Sequence, residues 1–331
     1  MELQENKTFY GFVLLGFSDT PHLLLPVLCF FLVTYILCIV GNLFIFMLIV
    51  SKCQLHTPRY ILMGNLAFVD VCFTSIIIPR ALHGLLSGDT HISTHNCFLQ
   101  LFLFIVVGNM DCFLLAIMAF DRYCAVCFPL QYSLMMNKRT CICLVAFSWI
   151  IACLHSTFCT WLASSQLFCG WVIQHFFCDY PVIIILSCYG LSVTLQTADF
   201  IESSIVIFSP VLLILASYVL IIRAVLTLKS SQGSRKTFTT CSSHLTMVIF
   251  FYSTVIFMYF RPSSIYSPTY DRVISVVFTI INPTLNPFIY SLRNKEVKNA
   301  MKKIIGKTLL QFKAKLHFST KYILKFVISI F

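Results

Sequence analysis

Two carboxylates in this chain stand where a charge is costly. Asp70 and Asp111 lie inside long apolar runs that also hold Asn42, Asn282 and Asn286, and an ionisable group among hydrocarbon must face a protein interior, water or an ion. Oxygens of Asp70 and Asp111 suit a hard cation such as sodium, whereas hydrogen bonds to the asparagine amides give a polar network without any ion. Asp121, Arg122 and Tyr123 close another part of the chain's apolar pattern at its edge. An arginine at that depth can exchange its neighbouring carboxylate for partners on another helix or on an incoming protein, a two-state element. His244, a lone imidazole, reads as a packing or hydrogen-bonding residue rather than a ligand.

Of the 16 cysteines, most fall inside apolar runs, where a thiol behaves as a small hydrophobe. Cys97, Cys169, Cys178 and Cys188 fall on the side that the charge distribution below makes oxidising, and four thiols allow three complete pairings. His175, Cys178 and Asp179 offer a soft-metal alternative, since imidazole and thiolate suit copper or zinc, but a disulfide would consume that thiolate. Asn6, Lys7 and Thr8 form a glycan acceptor. The chain has no HExxH or GxSxG motif and no phosphate-cradling glycine loop, so enzymatic chemistry is not expected. Beyond the sodium ion, no metal or organic cofactor is expected.

The elements that must hold these groups follow from composition. The 331 residues are 59% hydrophobic and 11% charged, against roughly 25% charge and 45–50% apolar usage in soluble domains. A soluble globular fold is excluded. Seven apolar runs, at about 25–50, 59–79, 98–120, 141–160, 200–226, 238–260 and 271–291, approach or exceed the ~20 residues that cross a hydrocarbon core of about 30 Å. The short fourth run, and Asn282, Pro283, Asn286 and Pro287 in the seventh, leave six or eight crossings as alternatives. With seven, all but four of the 23 lysines and arginines fall on one side, the exceptions being Lys7, Arg80, Arg261 and Arg272. That side is expected to be cytoplasmic, and the N-terminal segment 1–24 extracellular. The net charge of +11 then reflects topology and not nucleic-acid binding. Segment 1–24 lacks the basic start of a cleaved signal peptide, so the first run is expected to target the chain.

Short connections at 51–58, 121–140 and 227–237 make sequential helices neighbours in one bundle over 25–291. The long segment 161–199 is expected to fold over the bundle mouth. In 292–307, Val297, Ala300, Met301, Ile304 and Ile305 recur at helical spacing between lysines, an amphipathic helix suited to the anionic inner leaflet. The tail 308–331 ends in an apolar stretch too short to span. A channel or transporter is the rival from another class, although no internal repeat, paired half-length helices or charged filter is evident.

Several motifs, in order, resemble one family. Met118-Ala119-Phe120-Asp121-Arg122-Tyr123-Cys124-Ala125-Val126-Cys127 with Pro129-Leu130 and Tyr132, His56-Thr57-Pro58-Arg59-Tyr60, Lys236 to Leu245, and Pro283 to Asn294 are similar to those of vertebrate odorant receptors, within the rhodopsin-like G-protein-coupled receptors. The resemblance covers about residues 5–310 and implies an all-α seven-transmembrane bundle in the plasma membrane. It further implies a small volatile, mostly apolar ligand and a heterotrimeric stimulatory G protein that raises cyclic AMP. A rhodopsin-like receptor for a non-odorant metabolite is the nearer rival. By resemblance, Asp121, Arg122, Tyr123 and Tyr290 serve coupling and activation. Asn42, Asp70, Asp111 and Asn286 serve the polar network, while Cys97 pairs with Cys178 and Cys169 with Cys188. The implied cavity draws on Ile105, Gly108, Asn109, Cys112, Ser203, Ile207, Tyr252, Val255, Ile256 and Tyr259. Such a pocket orients a volatile molecule by one hydrogen bond and holds it by apolar burial at roughly 25 cal/mol per Å². With Phe104 and Ile105 at the expected place of a cation partner, an aminergic ligand is disfavoured. Arg59, Phe120 and Asp111 depart from the family's usual Met, Tyr and Glu, and Asp111 reaches one methylene less far.

Glycan occupancy is directly testable. Asn6→Gln is expected to abolish the mass shift that glycosidase treatment produces on the wild-type chain, read on a gel.

Overall fold

The structure, a computed structural model, describes residues 11–17, 23–227, 231–260, 267–293 and 297, with the backbone alone at 231–240 and 290–293. Asn6, the amphipathic segment from 294 onward apart from Val297, and the tail 308–331 lie outside the described residues.

Seven helices are long and apolar enough to cross a membrane. They are α1 (Leu24–Ser51), α2 (Pro58–Ser87), α3 (Thr94–Cys127), α4 (Lys138–Ser164), α5 (Val193–Thr227), α6 (Ser231–Tyr259) and α7 (Pro268–Ile289). Several outrun their apolar runs, and two of them open on polar side-chain caps. The short fourth run becomes a helix of 27 residues, since the Asn137 side chain accepts the Thr140 N–H at 2.9 Å and opens the first turn ahead of it. Ser93 caps α3 in the same way by accepting the Asn96 N–H, and α2 starts on Pro58 and stops at Gly88, whose φ of 71° suits a residue without a Cβ.

Burial is inverted relative to a soluble bundle. Leu25, Val33, Val40 and Met47 of α1 are exposed, while Asn42, Asp70, Asn109, Asp111, Asn282 and Asn286 are buried. Lipid can solvate the former but not the latter. The most enclosed helix is α3, which packs against α2, α4, α5 and α6.

The expected irregularity in the seventh run has a specific form. Val277–Ile281 make a π-helical turn between the helical segments Pro268–Val276 and Asn282–Arg293. In an α-helix the Pro283 carbonyl would accept from residue 287, but that residue is Pro287, which has no N–H to donate. Asn42 Nδ2 donates to the Pro283 oxygen instead, at 3.0 Å, and also to its own-helix Cys38 oxygen at 3.1 Å. Gly41 allows this approach of α1, because a Cβ there would lie 3.0 Å from Pro287 Cγ.

One end of the bundle is covalently closed by the disulfides Cys97–Cys178 and Cys169–Cys188. There β1 (Gly11–Leu14) pairs antiparallel with β2 (His91–Ser93) and parallel with β3 (Val172–Ile173). Phe12, Leu14, Ile92 and Ile173 pack with both cysteines of the first bridge beneath this sheet. With Cys178 oxidised, the metal alternative at His175, Cys178 and Asp179 lacks its thiolate. His175 is a structural group: its Nδ1 accepts the Phe177 N–H, its Nε2 meets Ser275 Oγ at 3.0 Å, and its ring stacks on Phe176. Burial, and then the nearby Arg272 charge, pull its pKa down to about 3. Arg272 itself donates to the Gly16 carbonyl and lies over the Phe17 ring.

A neutral His175 makes the closed end pH-sensitive. Its folded pKa lies below the ordinary value of 6.5, so the stability it contributes is complete above about pH 6.5 and is lost as pH falls toward 3. The stability of the receptor in nanodiscs is expected to fall over that window, by at most about 1.4 kcal/mol per pH unit from this group, and is read as a lowered melting temperature. His175→Gln is expected to flatten the profile.

Candidate functional site

A cavity of about 90 Å³ opens below the disulfide-bridged loop. One buried water needs roughly 10–15 Å³, so the space suits a small organic molecule and not a peptide. α3 supplies Phe104, Ile105, Gly108, Asn109 and Cys112, which recur at i, i+3 and i+4 and so face one way. Ser203 and Ile207 come from α5, Val255 and Tyr259 from α6, Phe278 from the π turn, and His155 and Cys159 from α4. Asp179 and Tyr180 form the lid. The lid is held at several points. The Cys178 N–H donates to Gln100 Oε1 at 2.9 Å, Tyr259 Oη donates to Asp179 Oδ1 at 3.2 Å, and the Phe177 ring packs 4.8 Å from that of Phe104. Burial, and then the Asp199 carboxylate, push the Tyr180 phenol well above its ordinary pKa, so it stays protonated.

The cavity has two chemical faces. Phe104, Ile105, Ile207, Val255 and Phe278 are apolar, while Asn109, His155, Asp179, Tyr180, Ser203 and Tyr259 carry donors and acceptors. Asn109 Nδ2 donates to His155 Nδ1 at 2.7 Å, joining α3 to α4 across the floor.

Below it lies the polar centre. Asn286 Nδ2 donates to both oxygens of Asp70 at 2.9 Å, and the Asp70 and Asp111 carboxylates act on each other electrostatically. Asp111 Oδ1, Asn286 Oδ1 and both side-chain polar atoms of Asn282 have no hydrogen-bond partner among the described residues. Buried oxygens in that condition are receptive to a cation or water.

At the far end of α3, Asp121 and Arg122 are both buried. Tyr132 Oη donates to Asp121 Oδ1 at 2.7 Å, and Arg122 donates from Nη1 to the Met118 carbonyl of its own helix at 2.8 Å. The charges of Arg122 and Arg59 both act on Asp121. Tyr218 of α5 reaches His244 Nδ1 of α6 at 2.8 Å, so His244 is a buried hydrogen-bonding residue, and the Arg122 charge acts on both.

A family profile described as "Olfactory receptor" matches residues 30–308. The chain belongs to the olfactory receptor family. It is 45% identical over 295 residues to olfactory receptor 1L6 of Homo sapiens, covering 89% of this chain and 85% of that one. It is 40% identical over 310 residues to olfactory receptor 1E16 of Mus musculus, covering 93% and 98%. A crystal structure of squid rhodopsin shares the fold, with a TM-score of 0.67 at 19% identity over 83% of this chain and 78% of that one. The protein is therefore a multi-pass plasma-membrane receptor of the G-protein-coupled class, and not an enzyme.

In this olfactory receptor, Ile105, Gly108, Asn109, Cys112, Ser203, Ile207, Val255 and Tyr259 line the cavity. Tyr252 and Ile256 are not among its lining residues. Tyr252 is buried a turn deeper, where its Oη donates to the Cys112 carbonyl at 3.2 Å, and Ile256 is 42% exposed on the outer face. The reason is helical phase: Val255 and Tyr259 are four apart and share a face, whereas Ile256 is rotated by about 100° from Val255. Tyr123 packs its ring against Phe128 and Phe120, and the Tyr290 side chain lies outside the described residues. Phe104, read from sequence only as leaving no cation partner, also lines the cavity, and sequence reasoning missed His155, Cys159, Asp179, Tyr180 and Phe278 as lining residues. For His155 a signal existed, a polar ring inside an apolar run. Phe104 and Phe278 carry no such mark.

Phase makes an asymmetric test. Val255→Trp is expected to fill the cavity and weaken the potency of any active odorant by about tenfold or more, equivalent to about 1.4 kcal/mol. Ile256→Trp, pointing outward, is expected to leave dose–response curves in place at matched surface expression.

Proposed function

We propose that a small volatile, mostly apolar molecule occupies this cavity and biases the helices toward an arrangement that admits a heterotrimeric stimulatory G protein of the olfactory type, raising cyclic AMP. The observation that carries the reading is the chain of groups on one helix. Ile105, Gly108, Asn109 and Cys112 touch the cavity, Asp111 sits in the polar centre, and Asp121 and Arg122 stand at the far end of the same α3. From Gly108 to Asp121 an α-helix rises about 20 Å. A small rotation or shift of α3 favoured by the ligand reaches both the Asp121–Tyr132 bond and the Arg122 environment. No covalent step is needed, since the ligand must only prefer one state of a pre-existing equilibrium.

The charge bias supports an extracellular N-terminus and a cytoplasmic C-terminus, so the cavity opens outward and the Asp121–Arg122 end meets the G protein. In the same reading, Asp70 and Asp111 hold a sodium ion in the inactive arrangement. The residues fit such an ion, because Asp111 Oδ1 and Asn286 Oδ1 are buried oxygens without a partner among the described residues.

The test is cyclic AMP accumulation in cells carrying the receptor and an olfactory-type stimulatory G protein, across a broad odorant panel. An odorant response that disappears in Arg122→Ala at matched surface level is the expected outcome. A response preserved in that variant, or one that persists without the stimulatory G protein, would overturn the coupling assignment.

A further inference from the structure

Two carboxylates in α5, Asp199 and Glu202, have no part in the reading above, yet they lie against one wall of the cavity. Glu202 Oε2 lies 3.0 Å from His155 Nε2, an ion pair when the ring is protonated. Cys159 Sγ is 3.3 Å from the same nitrogen. The three ligand atoms lie within 4.8 Å of one another. His155 and Cys159 are i and i+4 on α4, and so project from one face, and both are buried and line the cavity. The Asp199 charge acts on Cys159 and His155 as well.

We propose that His155, Cys159 and Glu202 form a zinc-binding site in the cavity wall. Imidazole, thiolate and carboxylate together make a borderline-soft donor set that fits a tetrahedral d¹⁰ ion better than magnesium or calcium, which take oxygen alone. Bonds of about 2.0–2.3 Å in a tetrahedron place donors roughly 3.3–3.7 Å apart, so the two His155 separations, 3.0 Å to Glu202 and 3.3 Å to Cys159, need to open by only a few tenths of an ångström, and Cys159 and Glu202 already lie within 4.8 Å of each other. The orienting partner that a metal-bound imidazole uses is already in position, because Asn109 holds His155 Nδ1 at 2.7 Å. Binding has a definite proton balance. Cys159 gives up its thiol proton to solvent, and the imidazole proton sits on Nδ1, donated to Asn109 Oδ1 after the amide turns over, which frees the Nε2 lone pair for the ion. The ion also resolves an electrostatic cost. Two neighbouring carboxylates in a membrane-spanning helix repel each other, and a divalent ion balances the charges of its two anionic ligands, Glu202 and the Cys159 thiolate, beside Asp199.

Three protein donors leave the fourth position of the tetrahedron for water or for a heteroatom of a molecule in the cavity. The site therefore goes beyond the odorant reading without depending on it, because the ion can be measured with neither odorant nor G protein present.

The experiment titrates zinc alone, and cobalt(II) as its spectroscopic substitute, into the full-length receptor in nanodiscs, comparing wild type with Cys159→Ser, Glu202→Gln and an exposed-thiol control, Cys143→Ser. Melting in the absence of metal identifies variants that retain the fold. The expected result is one tight equivalent of zinc and a thiolate-to-cobalt charge-transfer band. Affinity should fall at least about tenfold in Glu202→Gln, and the band should vanish in Cys159→Ser and persist in Cys143→Ser. Equal affinity in wild type and folded Glu202→Gln, or a cobalt band that survives Cys159→Ser, would assign the metal to other thiols and overturn the proposal.

Discussion

Hydrocarbon offers no hydrogen bonds, and the placement of polar groups in this receptor follows from that. An amide, carboxylate or ring nitrogen in a spanning helix is favoured to turn inward, toward a group on another helix, an ion or water. Asn42 answers the carbonyl that Pro287 cannot serve, Asn286 answers Asp70, and Asn109 answers His155. Each contact joins two helices, and the first two bring together helices at opposite ends of the sequence. Together they set rotations and depths that apolar packing alone would leave loose, because leucine and phenylalanine are as content against lipid as against each other.

The enclosed helix α3 concentrates this constraint. It passes from the cavity to the polar centre and on to Asp121 and Arg122, with polar residues spaced along an otherwise apolar face. Where partners are complete, as at Asp121 with Tyr132, the bundle is held in one arrangement. At Asp111 on the same helix, Oδ1 has no hydrogen-bond partner among the described residues.

The closed end obeys a different rule. The segment between α4 and α5 is long and would cost much conformational entropy to order, yet two disulfides, a small mixed sheet and the buried His175 fix it over the cavity. That fixed lid is what brings Asp179 and Tyr180 to the cavity.

The apolar runs, the charge asymmetry and the costly intramembrane residues are local properties, and they were sufficient to mark seven spans, the polar centre at Asp70 and Asp111, and the motif at Asp121 to Tyr123. Helix ends were less legible, because caps such as Asn137 and Ser93 lie outside the hydrophobic runs they extend. Rotation was legible only in part: Ile105 and Asn109 carry their face in their spacing, but one step of about 100° separates Val255 in the cavity from Ile256 outside it. Glu202 bore the same mark as Asp70, a carboxylate in an apolar run, but its neighbours His155 and Cys159 come from another helix. Sequence alone determined which residues must be buried, since the cost of a polar group in hydrocarbon depends on that group. Only tertiary structure decided which groups meet, since a contact depends on the relative rotation and depth of two helices that no single segment encodes.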